Sequence, residues 1–300
     1  MSNARVPAWD GKDMGALLAV RPAGPMRFRN RFGDANAQDR AYGGQILGQA
    51  LLAAAQTVPA SRDFTTMQFL FLQGTLHEEA IDFKIAALQD GKRFSSRHVR
   101  GTQGDSRAVL DAQVTFAVPL DAPAHEIAPA ASIADEDPER LPRLTELPPE
   151  WGDELERACG YRFWLKDAID FRFSAPPPGL RLDPREPRLR FWVRLSDRLG
   201  DETRLHAAAF AYLSDWWLNY PALGSHVQPL LDSGRRLYVA SLNHAIWIHR
   251  PLRADEWLHF DSISPAAGAG RGLAIARVHD GAGHLVASAT QECLMAPRQD

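Results

Sequence analysis

One layout occurs twice in this chain of 300 residues, and it limits the fold more than any other feature. In AYGGQILGQALLAAAQTV, Leu47, Leu51, Ala54, Ala55 and Val58 share one helix face, and Gly43 and Gly44 stand at its start. Apolar alternation then predicts strands in FTTMQFLFL, AIDFKIAAL, RFSSRHVRG and RAVLDAQVTFAV, the last two joined by the turn TQGDS. The second half opens with a strand, LRFWVRLSD, continues as a helix over RLHAAAFAYLSDWWLNY, and closes with strands in LYVASLNHAIWIH, EWLHFDSIS, RGLAIARV and HLVASATQECLM. Few residues recur, so the repeat is one of layout. The expected class is α+β: each half is one long helix laid on an antiparallel sheet, and the two sheets join edge to edge, which hides those edges from solvent. Between the halves, the Pro-, Ala- and acid-rich run from Pro119 to Pro149 has neither the helical nor the strand period. The expected division is a first domain over 1–118, a linker over 119–155 and a second domain over 156–300.

Composition narrows the function classes. A formal net charge of −3 argues against a nucleic-acid partner held by phosphate neutralisation. No stretch approaches the roughly 20 apolar residues that span a bilayer, and the N-terminus lacks a basic-then-apolar signal pattern. With only Cys159 and Cys293 and no disulfide framework, the expected location is cytoplasmic.

One short stretch raises a chemical question. AYLSDWWLNY sets Asp215 beside Trp216, Trp217 and Tyr220, and burying an ionised carboxylate costs several kcal/mol or more unless partners compensate. An Asp at this place either caps a turn facing water or is held in an apolar setting for its chemistry.

Five segments together resemble the acyl-CoA thioesterase II family, whose fold is the double hot-dog: GGQILGQALLAAAQTV, DGKRFSSRHV, LSDWWL, ASLNHAIWIHRPLRADEWLHFDSISPAAGAGRGLA and LVASATQECLM. The resemblance runs over roughly residues 27–118 and 185–296. It implies hydrolysis of acyl-CoA to free acid and CoA, with no cofactor, by a water held between an Asp, a Ser or Thr and a Gln. Asp215, Ser241 and Gln291 stand at those positions. The chain departs from the pattern twice, with Asn243 where the family usually has Asp and no His in FTTMQFLFL, so one competent site per chain is expected.

The residue types suit this chemistry. A thioester is electrophilic and its thiolate leaves readily, so a positioned water and a general base suffice, the base contributing typically about 10²- to 10⁴-fold. Desolvation raises the pKa of an Asp and makes it a better base. Backbone N–H groups at the helix start, where Gly43 and Gly44 permit close approach, are candidates to receive an oxyanion, although glycines there serve close packing equally well; Gln45 beside them is a candidate for substrate binding. Trp216 and Trp217 are expected to keep the site dry and to shorten the acyl tunnel, favouring short or branched chains. His244 lies near Ser241 and is a candidate support. His244 and His249, five residues apart on a strand, face opposite sides and do not chelate one metal, and no metal site is expected. Arg250, Arg253 and Arg271 are candidates for the phosphates of CoA, with a surface ion pair the alternative for at least one. The competing readings are an acyl-CoA-binding protein with little turnover and a hydratase or dehydratase using His244 with Asp215. A serine hydrolase is disfavoured, because no G-x-S-x-G elbow is present. Such folds admit association into a homo-oligomer.

Overall fold

The computed structural model describes residues 4–129, 136–160 and 166–298. Twelve strands form one antiparallel sheet in the order β1-β2-β4-β5-β6-β3-β9-β12-β11-β10-β8-β7. The first half supplies β1 (Val20–Gly24), β2 (Arg27–Asn30), β3 (Asp63–Phe71), β4 (Asp82–Asp90), β5 (Phe94–Gln103) and β6 (Arg107–Ala117). The second supplies β7 (Ile169–Phe173), β8 (Arg188–Leu195), β9 (Leu237–Ile248), β10 (Leu258–Gly268), β11 (Arg271–Asp280) and β12 (Leu285–Pro297). The halves meet where β3 pairs with β9, from Thr66 opposite Trp247 to Leu70 opposite Asn243. This is the edge-to-edge junction that the repeated layout implies, and it satisfies two rows of backbone groups that would otherwise template aggregation.

The helices are α1 (Met14–Leu18), α2 (Gly43–Ala55), α3 (Pro149–Cys159), α4 (Thr203–Ser214), α5 (Pro221–Gly224) and α6 (Val227–Ser233). Helices α2 and α4 pack antiparallel on each other, with small residues at the contact. A Cβ at Gly48 would lie 2.7 Å from the Ala208 carbonyl oxygen, and one at Gly44 would overlap the Tyr212 carbonyl. Along with Ala207, Ala208 and Ala211, these glycines let the two backbones touch, which brings the start of α2 to the end of α4. At the opposite end the Arg204 guanidinium donates to the carbonyls of Ala55 (2.8 Å) and Arg62 (2.9 Å) and so ties the start of α4 to the end of α2.

Between the halves the chain runs over the second-half sheet as a strap held by ion pairs and hydrogen bonds. Glu126 pairs with Arg250 at 3.1 Å, Glu136 accepts from Trp192 Nε1 at 2.7 Å, and Glu139 pairs with Arg194 at 2.9 Å. It ends in α3, whose last residue is followed by Gly160 at φ 66°, a left-handed helix stop. No helix among the described residues is long and apolar enough to cross a membrane.

Candidate active site

Helix α4 stops one residue before the acid, so Asp215 is its C-cap and not part of its interior. The sequence pattern extends the helix to Tyr220, because the aromatics keep the apolar period. The structure breaks it at Trp217, which adopts φ 58°. A bulky residue in that region costs about 1–3 kcal/mol. It persists because the Trp217 ring is buried edge-on to Phe173 at 5.3 Å and to Tyr220 at 5.4 Å. The turn aims the Asp215 carboxyl back toward the start of α2.

Three side chains distant in sequence meet there. Gln291 Nε2 donates to Asp215 Oδ1 at 2.8 Å and to Ser241 Oγ at 2.5 Å. The strands set this up: Gln291 on β12 is opposite His244 on β9, and Ser241 is opposite Cys293 beyond a one-residue bulge at Leu242. The bulge returns the Ser241 side chain to the helix-facing side, where Gln291 also points. Gln291 Oε1 accepts no hydrogen bond from any described residue, which leaves one buried acceptor beside the carboxyl.

Burial of Asp215, 9% exposed, pushes its pKa up to about 7, against the opposing hydrogen bonds from Gln291 and the Gly44 backbone N–H. The acid also sits at the negative end of its own helix, which opposes ionisation, and against the positive start of α2, which favours it. Gly43 is required by contact: a Cβ there would lie 2.5 Å from Asp215 Oδ2 and 3.1 Å from the Phe71 ring. The Gly44 N–H faces this carboxyl and favours its ionised form, so the helix start named as a candidate oxyanion donor lies at the acid itself.

His244 is 1% exposed, and burial lowers its pKa to about 4, an interaction with Gln291 opposing. Its Nε2 meets Ser214 Oγ at 2.9 Å, and that hydroxyl donates to the Ala211 carbonyl at 2.9 Å, so Nε2 carries the proton and the ring is neutral. Ser214 is a neighbour that sequence reasoning missed; it stands next to Asp215 in LSD, but the contact to β9 forms only in the fold. Also missed is the buried Asp34, which accepts from Lys166 and from the Tyr212 hydroxyl (2.8 Å) and so fixes the loop before α2 to the last turn of α4. Burial raises the Asp34 pKa, with Lys166 opposing.

The other candidates fall in different places. Gln45 is fully buried, accepts from the Asp34 backbone N–H at 2.6 Å and donates to the Phe32 carbonyl at 3.0 Å and to Gln49 at 3.1 Å. Its amide thus braces the loop. Trp216 packs on Tyr42 at 5.1 Å and on Phe171 at 5.4 Å, which with Trp217 makes an apolar wall behind the acid. Arg250 is paired with Glu126 and lines a cavity with Thr203, the first residue of α4, about 18 Å from Asp215 at 1.5 Å per residue. Arg253 is held by Asp255 at 3.0 Å and Asp201 at 2.7 Å. Arg271 lies 3.7 Å from Glu292. Asn243 points to the other face of the sheet, where it donates to Glu292 at 3.0 Å, so its difference from the family's Asp does not reach Ser241. Asn243→Asp is therefore expected to leave the rate of hydrolysis within about twofold, as for other changes outside such a site, which steady-state kinetics checks.

The first half carries a matching bulge at Thr65, between Phe64 and Thr66. Superposing the bulges sets Phe64 where the second half has Ser241, Met67 where it has His244 and Val114 where it has Gln291, while the cap of α2 is Gln56 in place of Asp215. Beside these groups the buried Arg97 bonds Thr57 Oγ1 at 2.9 Å and Asp90 at 2.9 Å. The first half thus has no acid, amide or hydroxyl at the positions matching Asp215, Gln291 and Ser241 respectively, with Gln56, Val114 and Phe64 there instead.

A long helix wrapped in an antiparallel sheet, present twice and sharing one sheet, defines a double hot-dog protein, and the acid, amide and hydroxyl lie at the meeting of its two helices. The chain belongs to the acyl-CoA thioesterase family: residues 33–117 match its "Acyl-CoA thioesterase N-terminal domain" and residues 136–295 its "Acyl-CoA thioesterase C-terminal domain". It is 28% identical to mouse (Mus musculus) acyl-coenzyme A thioesterase 8, over 92% of this chain and 87% of that protein. It is 26% identical to acyl-CoA thioesterase 2 of Haemophilus influenzae, over 93% of this chain and 95% of that protein. Among solved structures, acyl-CoA thioesterase II TesB2 of Mycobacterium marinum superposes with a TM-score of 0.74 at 27% identity, covering 95% of this chain and 98% of that one. The dehydratase domain of RzxB from Pseudomonas fluorescens, TM-score 0.54 at 11% identity, shares the fold alone.

Proposed function

We propose that the protein hydrolyses acyl-CoA thioesters to free acid and CoA, with Asp215 as general base. The observation that carries this reading is the Gln291 amide bonded at once to Asp215 and Ser241 inside a buried junction. Ionised Asp215 takes a proton from a water held by Gln291 Oε1 and the Ser241 hydroxyl, and the water oxygen attacks the thioester carbonyl. The tetrahedral intermediate then expels the thiolate, which takes the proton from Asp215, so the carboxylate base is regenerated and no covalent enzyme intermediate forms. A base that titrates near 7 combines adequate proton affinity with a large ionised fraction at neutral pH. The hydratase reading is not favoured, because the neutral His244 spends its N–H on Ser214.

A thiol-release assay over a panel of acyl-CoAs tests the proposal. Free thiol from at least one substrate supports it; CoA binding without thiol release supports a binding protein instead. The buried Trp216 and Trp217 support a preference for short or branched acyl groups, and kcat/KM that peaks at long chains contradicts that part. Gln291→Leu removes a donor from the carboxylate, so the Asp215 pKa is expected to rise further. The acid limb of the pH–rate profile then moves upward by about one unit, a hydrogen bond to a charged group being worth about 1.5–3 kcal/mol. An unmoved limb contradicts the role given to the amide. Cytoplasmic residence is part of the proposal, supported by the buried free thiols of Cys159 and Cys293. So is self-association, supported by Leu70, Leu273 and Ile275, exposed on the sheet face away from the helices. The division at 118 and 155 is likewise kept as a proposal, with the strap as the connecting piece.

A further inference from the structure

We propose that a groove flanked by Arg235 and Arg236 is the site for the phosphates of coenzyme A. It is a cavity of about 320 Å³ between α6 and the hairpin that joins β10 to β11, and no carboxylate lines it. In a chain of formal net charge −3, two adjacent exposed arginines beside one groove are a local concentration of positive charge. Arg235 and Arg236 are exposed, and neither takes part in an ion pair among the described residues. Their nearest acid in sequence, Asp232, accepts from Gln228. Arg271 also borders the groove, but its guanidinium lies 3.7 Å from Glu292 on the sheet face away from the helices and is not counted among the phosphate ligands. Guanidinium groups left without carboxylates on a concave surface suit a phosphate, which each can meet with two parallel N–H donors.

Position also fits. The groove includes Met295 and Pro297, four and six residues beyond Gln291 on the same face of β12, which places it about 14–20 Å from the amide at roughly 3.4 Å per residue. That span matches an extended pantetheine arm between a thioester at Gln291 and a diphosphate at the arginines. The floor is apolar, with Leu230, Leu237 and Met295, which suits the arm and the adenine ring more than a small inorganic anion. This inference rests on the acyl-CoA reading but makes a separate prediction.

The test uses the doubly substituted protein Arg235→Ala, Arg236→Ala, both exposed, with circular dichroism to check folding. Two quantities are read: the dissociation constant for CoA by calorimetry, and the ratio of kcat/KM for an acyl-CoA over the same acyl-pantetheine, which lacks the phosphates. The double variant is expected to bind CoA at least about tenfold more weakly, to lose most of the acyl-CoA preference through KM, and to show a shallower salt dependence. Unchanged CoA affinity and an unchanged ratio overturn the inference, whatever the wild-type turnover. If the wild type releases no thiol from either substrate while the variant still loses CoA affinity, the hydrolase reading fails and the phosphate site stands. Equal loss on both thioesters assigns the arginines to the fold and overturns the site. If folding of the double variant is impaired, Arg235→Gln alone gives the same two readings.

Discussion

Asp215→Asn is expected to lower kcat for thioester hydrolysis by about 10²- to 10⁴-fold while the protein becomes more stable at neutral pH. The two effects share one cause. Burial holds the Asp215 pKa at about 7, above the ordinary value of 3.8, so the native state resists losing a proton that the unfolded chain gives up readily. An acid shifted in this direction stabilises the fold fully below the unfolded pKa, and that contribution disappears as pH rises through about 7. The neutral Asn has no such loss, so its advantage should grow between pH 4 and 7 and then level off. At about 1.4 kcal/mol per pKa unit the ceiling is about 4 kcal/mol, and the Asn amide nitrogen facing a donor reduces the net gain to about 2 kcal/mol. Denaturant unfolding of both proteins at pH 4.5 and pH 8 checks this. A variant less stable than the wild type at pH 8 contradicts the assigned burial cost.

Gly44→Ala is expected to have the largest effect on the helix pair. Its methyl group would overlap the Tyr212 carbonyl and lie 2.5 Å from the Tyr42 ring. A backbone oxygen in α4 cannot swing aside as a side chain can, so the two helices must move apart. Overpacking of this kind costs about 1–3 kcal/mol, which exceeds the roughly 1 kcal/mol that Ala gains over Gly in helix propensity. Separation also draws the Gly44 N–H away from Asp215, so thioester hydrolysis should fall together with the midpoint of thermal unfolding. A variant with unchanged unfolding and rate would show that the contact between the helices is not what positions the acid.

The parts of the fold that were legible in the sequence are those where periodicity is set by burial on one side. β3 to β6 and β8 to β12 read cleanly because alternate residues face the two helices. The strands β1, β2 and β7 were not legible: VRPAG, RFRN and IDFRF are short, lie at the sheet margins and take their pairing from neighbours, with Pro22 breaking the first. The end of α4 was misread, since Trp216 to Tyr220 continue the apolar pattern and the left-handed turn at Trp217 is held by the rings of Phe173 on β7 and Tyr220 just before α5. In the candidate site, Asp215 stood out because a carboxylate among aromatics needs an explanation. Its contact with Gln291 was expected from resemblance, and 76 residues of chain separate the two. Ser214 with His244, and Asp34 with Lys166 and Tyr212, had no local signature, because each contact joins elements that only the fold brings together.

The most direct test of the central claim is the pH dependence of kcat/KM for thiol release from an acyl-CoA by the wild-type protein. With buried Asp215 as the base, activity should rise with pH along a limb whose apparent pKa is near 7, and Asp215→Asn should abolish that limb along with the rate. A profile already flat from pH 5 upward, or one that keeps its limb in the Asn variant, would contradict it.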